Sequence, residues 1–213
     1  MNIEKWIKKG IYLEVNREFE HLLNYARLTE NTIIQRVNEF ENDSTEDLTE
    51  IELDILSEIY QEYSESFPRI LRSSVFTTSY SLLEYNVYFL CHKLHEKYKR
   101  TNDSRQCEQP PQDSYIKESR KYLKKVACID IYKLNSSNDV NIYRIIRDAI
   151  VHKDGKIDRT DVDSEEARNF IKTSSDITLD DSNQIQIQSI KFCEQAINTL
   201  KSFFNEVLDK IWV

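Results

Sequence analysis

Hydrophobic positions near the start of the chain recur at helical spacing. Between residues 11 and 40 an apolar side chain returns every three or four positions, and this period predicts one long helix. The polar run at residues 41–45 predicts that this helix ends there. Ser44 or Thr45 would then supply the side-chain oxygen that caps the next helix.

Two more helices are predicted before the middle of the chain. Apolar residues between positions 48 and 63 predict the second helix, and Pro68 suits the first turn of a third, which reaches about residue 98. Residues 100–113 are polar, contain a Pro-Pro pair and lack periodicity, so they predict a flexible loop. Neither half around this loop is large enough to fold comfortably alone, and we expect residues 1–213 to form a single domain.

The second half of the chain mixes helical periods with one alternating segment. Helices are predicted over about residues 114–128 and 139–153, followed by a short one that Ser164 opens. Two short runs at 177–179 and 185–187 flank a turn-like segment and predict a β-hairpin. A last apolar stripe begins near residue 189. The predicted fold class is all-α, a helical bundle with a small β-hairpin before the C-terminal helix.

Composition narrows the class of protein further. Only two glycines occur among 213 residues, which disfavours glycine-dependent nucleotide-binding sheets. The net charge of −8 argues against a protein that coats nucleic acid nonspecifically, although a local basic groove remains compatible with it. The four cysteines form no C-x-x-C pair, and no signal peptide or membrane span is recognisable. We expect a reduced, cytoplasmic protein without membrane contact, metal or cofactor.

The most informative stretch lies at the end of the fifth predicted helix. There Arg147 and His152 stand five positions apart, and Gly155 follows as a candidate helix cap. Arginine is a permanent cation that binds phosphate through several donors, and histidine exchanges protons near neutral pH. Together the two side chains could handle a phosphodiester without a metal ion.

A helical wheel places the two residues on opposite borders of one face. With Ile142 at zero, Arg147 falls at about 140° and His152 at about 280°, with Arg144 and Asp148 between them. One helix therefore does not bring the pair together, whereas two copies packed across a two-fold axis could. Asp148, four residues before His152, could orient the imidazole. The plainer interpretation is an ordinary helix with a charged solvent face.

A resemblance to a known family bears on this choice. Residues 147–152, RDAIVH, resemble the R-[N/D/H]-x3-H signature of HEPN domains, the all-helical domains named for higher eukaryotes and prokaryotes nucleotide-binding. The preceding YRII and the following Gly155 resemble the surroundings of this motif in bacterial members. Residues 67–85 resemble the upstream helix of phage-defence HEPN proteins. The resemblance covers about residues 60–211, so residues 1–59 would be an N-terminal extension.

This resemblance implies a metal-independent endoribonuclease that acts as a homodimer. Arg147 would bind and polarise the scissile phosphate, and His152 would move the proton between the ribose 2′-hydroxyl and the leaving oxygen. Arg144, Asp148 and Glu84 would support the pair, with Glu84 orienting Arg147 from the third helix. The expected role is that of a toxin or abortive-infection effector, restrained by an antitoxin or another partner protein.

Two alternatives stay open. A catalytically silent HEPN module that binds a protein partner or a nucleotide is favoured by the acidic balance and by Asp148, which stands where asparagine is more common in the family. A helical scaffold without a site is the third possibility. Cys91, His92 and His95 could share a helix face, but no further metal ligand is apparent near them.

Overall fold

The computed structural model describes residues 3–42, 48–158 and 164–212, and in this part the protein is all-α with one small β-hairpin. The hairpin is a two-stranded antiparallel sheet directly before the C-terminal helix, as the hydrophobic pattern predicts. None of the helices described is long and apolar enough to cross a membrane. In chain order the elements are α1 Ile3–Asn42, α2 Glu50–Gln61, α3 Phe67–Arg100, α4 Ile116–Ala127, α5 Ser137–His152, α6 Glu165–Thr173, β1 Ile177–Leu179, β2 Ile185–Ile187 and α7 Ile190–Ile211.

The hydrophobic core lies where α1, α3 and α7 pack together. Phe19 of α1, Phe76 of α3 and Phe204 of α7 are fully buried there. The stripe predicted for the first helix supplies Val15, Phe19, Leu23 and Ala26 to this core. Removing such large apolar side chains from water is the main stabilising contribution to a bundle of this kind.

The predicted break between the second and third helices is wrong. Helix α2 continues through a π-helical segment, Glu62–Ser66, directly into α3. In that segment the backbone N–H of Phe67 donates to the carbonyl of Glu62, five residues earlier. Pro68 follows at once and has no N–H to offer, so the widened turn accommodates the proline without ending the helix. The sequence around Pro68 does not distinguish a proline in the first turn of a new helix from a proline that follows a π-bulge in a continuous helix.

The cap of α2 differs from the prediction as well. Ser44 and Thr45 lie outside the described residues, and the N-cap is Thr49. The backbone N–H of Glu52 donates to the Thr49 hydroxyl at 3.4 Å, and the Thr49 N–H donates to the Glu52 carboxylate at 2.9 Å. This reciprocal capping box satisfies two donors at the helix start.

Residues 100–113 connect α3 to α4 and pack back onto α3. The Arg105 guanidinium lies 4.0 Å from the ring centre of Tyr98 and donates to its hydroxyl at 2.9 Å. His92 Nε2 donates to the carbonyl of Pro111 at 3.0 Å, and Pro111 itself is buried. The segment predicted as a flexible loop is therefore held at several points, and it delivers α4 to the side of α3.

Candidate functional site

The Arg–His motif lies on the face of helix α5 that is opposite to the hydrophobic core. Ile142, Ile146 and Ala149 are buried, as the helical wheel predicts for the apolar stripe. Val151 is exposed on the opposite face. The motif face is therefore accessible to a ligand.

Arg147 and His152 line one cavity of about 700 Å³ within a single chain. The helical wheel places them on opposite borders of one helix face, where two copies of the chain could combine them. In the structure α3 and the start of α4 line the same cavity, with Arg144 and Asp148 of α5 along its wall beside the two motif residues. A single protomer thus contains both motif side chains.

The guanidinium of Arg147 is held by two carboxylates. Nη1 donates to Asp148 at 2.9 Å and Nη2 donates to Glu84 at 3.2 Å, while the side chain is only 14% exposed. Its central carbon lies 5.9 Å from the ring centre of Tyr80, a buried side chain of α3 whose pKa is raised by burial. The ring beneath the guanidinium is therefore neutral, and the arginine is fixed in position before any ligand arrives.

Glu84 joins three helices at the floor of this cavity. Besides Arg147 of α5, its carboxylate accepts the backbone N–H of Ile116 at 3.3 Å, and Ile116 is the first residue of α4. Burial raises the pKa of Glu84, and the charge of Arg147 only partly opposes this shift. The contact between Glu84 and Arg147 agrees with the orienting role that the sequence analysis assigns to Glu84.

Asp148 does not occupy the position predicted for it. The sequence predicts that it orients the imidazole of His152, but its carboxylate bonds Arg147 at 2.9 Å and Arg144 at 3.2 Å. Arg147 and Arg144 lie one and four residues before Asp148 on the helix, and their side chains are long enough to reach its carboxylate and are permanently charged. The imidazole of His152 is exposed and hydrogen-bonds to none of the residues described. Asp148 therefore organises the two arginines.

The β-hairpin secures the end of α5 on which His152 stands. Gly155 closes the helix with a φ of +73°, and its N–H donates to the carbonyl of Ala149 at 2.9 Å. In return its carbonyl accepts the N–H of Ile185 in β2 at 2.9 Å. Gln184 also donates to the carbonyl of Asp154 at 3.0 Å. The C-cap itself is Lys153, so the predicted glycine acts two residues beyond it, and the hairpin supports the helix end that carries the motif.

The cavity carries more positive than negative side chains, in contrast to the chain as a whole. Among the residues that the structure describes, five Lys and Arg side chains and three carboxylates line it, whereas the net charge of the chain is −8. The sequence analysis missed several of the lining residues, which are Tyr115, Lys117, Tyr132, Lys153 and Lys156. The two lysines beside Gly155 could have been found from their closeness to the motif. The other three come from segments whose sequence gives no signal of proximity.

The cluster of Cys91, His92 and His95 contributes to packing. The Cys91 thiol contacts the carbonyl of Ser119 in α4 at 3.8 Å, and burial raises the pKa of this cysteine to about 12. His92 donates to Pro111. Within residues 3–42, 48–158 and 164–212, no three His, Cys, Asp or Glu side chains are arranged to hold a metal ion.

The chain matches no known protein family, no curated protein and no solved structure.

Proposed function

We propose that this protein is a metal-independent endoribonuclease of the HEPN type. The supporting observation is that Arg147 and His152 line one cavity together with a surplus of cationic side chains. RNA carries one negative charge per phosphate, so a local basic surface in an acidic protein favours its binding at this place and not elsewhere.

The proposed reaction needs only the two motif side chains and the ribose. His152 accepts the proton of the 2′-hydroxyl, the 2′-oxygen attacks the adjacent phosphorus, and the bond to the 5′-oxygen breaks. The imidazolium then returns its proton to that leaving oxygen, which leaves a 2′,3′-cyclic phosphate and a 5′-hydroxyl. Arg147 neutralises the charge that grows on the phosphate oxygens. Because the nucleophile belongs to ribose, DNA is not cleaved.

An incoming phosphate competes with two carboxylates for Arg147. Its two Nη groups are engaged by Glu84 and Asp148, and its Nε is buried without a hydrogen-bond partner. Asp148 is the partner that is released more easily, since its side chain is 34% exposed and Arg144 also bonds it. Glu84 is buried and remains as the positioning residue. In this scheme Arg144 keeps Asp148 away from the incoming phosphate.

The biological setting is proposed from the family resemblance. A homodimer whose α5 helices meet would join two such cavities, and a toxin of this kind would be restrained by an antitoxin or another partner protein. Sedimentation of the purified protein tests the dimer directly.

The decisive experiment is cleavage of mixed RNA in the presence of EDTA. Wild type should cleave the RNA and leave 2′,3′-cyclic phosphate ends, and both Arg147→Ala and His152→Ala should abolish this activity. Arg69→Ala and His21→Ala are matched controls, because both residues are exposed on helices outside the cavity. Cleavage that survives in the motif variants, or that depends on added metal, would contradict the mechanism.

A silent HEPN module remains the second candidate. The observation that favours it is the occupation of Arg147 by two carboxylates, which neutralise the guanidinium charge before a phosphate binds. This alternative, in its nucleotide-binding form, predicts that the protein binds a nucleotide in calorimetry without cleaving RNA. Asp148→Asn would then strengthen binding, because it removes one negative charge beside the ligand.

A further inference from the structure

A two-helix arm extends beyond the level at which α7 begins. Two hydrogen bonds show where α7 begins along the bundle. Arg27 of α1 donates to Glu194 in the first turns of α7, and Arg72 of α3 donates to the carbonyl of Gln188 just before it. Past this level, residues 33–42 of α1 run beside residues 48–66, and we call these two segments the arm. Among the residues described, α7 does not cover the arm.

The inner side of the arm holds its two segments together. The rings of Phe40 and Tyr63 lie 5.7 Å apart, and Tyr63 meets Phe67 at 4.9 Å. The hydroxyl of Tyr60 donates to Glu41 at 2.9 Å. Tyr60 is the residue of α2 that takes part in these contacts, since Tyr63 lies in the π-helical segment and Phe67 in α3.

The outer side of α2 is an apolar stripe that no part of the described chain covers. Ile51, Ile55 and Ile59 recur at intervals of four and lie within about 80° of one another around the helix. Their exposed fractions are 73%, 52% and 36%, and α2 contains no buried residue at all. Single exposed isoleucines are ordinary, but a contiguous stripe of this kind marks a surface that binds another molecule.

The charge of the arm restricts which molecule that is. The arm contains eight Asp and Glu side chains and one basic residue, Arg36, which bonds Glu39, so the arm carries most of the net charge of −8. RNA, DNA and anionic membranes are repelled by such a surface. A second copy of the arm is repelled too, because it would bring the same carboxylates face to face.

We propose that the arm is a docking surface for a basic amphipathic helix of a partner protein. The apolar face of that helix lies along Ile51, Ile55 and Ile59, and its Lys and Arg side chains pair with carboxylates beside the stripe, such as Glu58 and Glu62. Apolar burial and charge pairing act together in this arrangement, as in other helix recognition.

Docking at the arm leaves the Arg–His cavity open. Ile59 and Glu84 are separated by 25 positions on one continuous helix, which corresponds to about 37 Å. The inference therefore does not depend on the ribonuclease activity, and the two can fail separately.

The test uses a synthetic peptide of about 18 residues, made of leucine and lysine with all leucines on one face. In fluorescence anisotropy the full chain should bind this peptide, and added salt should weaken the binding. Ile51→Gln/Ile55→Gln should weaken it by about tenfold or more, since two large apolar contacts are lost. The matched control Ile7→Gln/Leu13→Gln, two exposed apolar residues of α1 outside the arm, should leave it unchanged.

Two outcomes would overturn the proposal. A peptide of the same composition but permuted sequence, without an apolar face, could bind equally well, which would show that charge alone attracts the probe. Alternatively, sedimentation could show self-association that disappears in Ile51→Gln/Ile55→Gln, which would assign the stripe to a second copy of the chain. Circular dichroism confirms that both double variants are folded.

Discussion

The start and the middle of the long α2–α3 helix use acidic side chains in opposite ways. At the cavity, Glu84 and Asp148 are drawn onto the guanidinium of Arg147, and the surrounding lining is cationic. In the arm, the carboxylates stand beside exposed isoleucines without a single basic residue between positions 37 and 68. The net charge of −8 is thus the sum of a locally basic cavity and a strongly acidic arm. The net charge of the whole chain therefore does not predict the charge of the residues that line the cavity.

Among the tests of this difference between the cavity and the arm, substitution of Arg147 is expected to have the largest effect. Arg147→Lys keeps the charge but loses the planar fork that bonds Glu84 and Asp148 at the same time. The rate of RNA cleavage should fall by about 100-fold, a typical cost of removing one donor that stabilises a charged transition state. Arg69→Lys, on the exposed start of α3, should retain the wild-type rate. Equal rates for both variants would show that charge alone suffices at the site.

A smaller effect is expected where the hairpin secures the end of α5. An added Cβ at Gly155 would meet Cγ of Gln184 at 3.2 Å, and the φ of +73° strains any other residue there. Gly155→Ala should lower the free energy of unfolding by about 1–2 kcal/mol. Gly10→Ala provides the opposite control, because Gly10 lies inside α1 and a methyl group added there would have no atom within 4 Å. That substitution should raise the stability by about 0.5–1 kcal/mol in urea unfolding.

The sequence predicts well those structural features that depend on residues close together along the chain. The hairpin, the closure of α5 at Gly155 and the buried stripe of α5 each follow from patterns within a few positions. The continuity of α2 with α3 escapes prediction because Pro68 is compatible with both a helix start and a π-bulge. The cavity escapes it because Tyr115 and Lys117 approach α5 only through the packing of α4. Periodicity also identifies an amphipathic α2 without indicating that its apolar stripe remains uncovered.

A pH dependence should distinguish the buried carboxylate at the cavity from those of the arm. Burial raises the pKa of Glu84, so the folded protein takes up this proton at a higher pH than the unfolded chain. The resulting stabilisation is complete below the ordinary glutamate pKa of about 4.3 and is lost as the pH rises through the raised value. Glu84→Gln cannot titrate. The stability of wild type relative to this variant should therefore increase as the pH is lowered from about 7 to about 4 in urea unfolding. A relative stability that instead falls on acidification would mean that the ion pair with Arg147 outweighs burial.

The smallest effect is expected on the stability of the arm. Ile55→Ala removes apolar atoms from a side chain that is already about half exposed, so the free energy of unfolding should change by less than about 0.5 kcal/mol. Leu83→Ala, beside Glu84 in the same long helix, empties a fully buried position and should cost about 2–5 kcal/mol. Urea unfolding of the two variants measures this difference directly. A large loss for Ile55→Ala would mean that the stripe is already covered in the free protein, by a second copy of the chain. A negligible loss would show that folding does not depend on Ile55, as expected of a surface that is open to a separate partner.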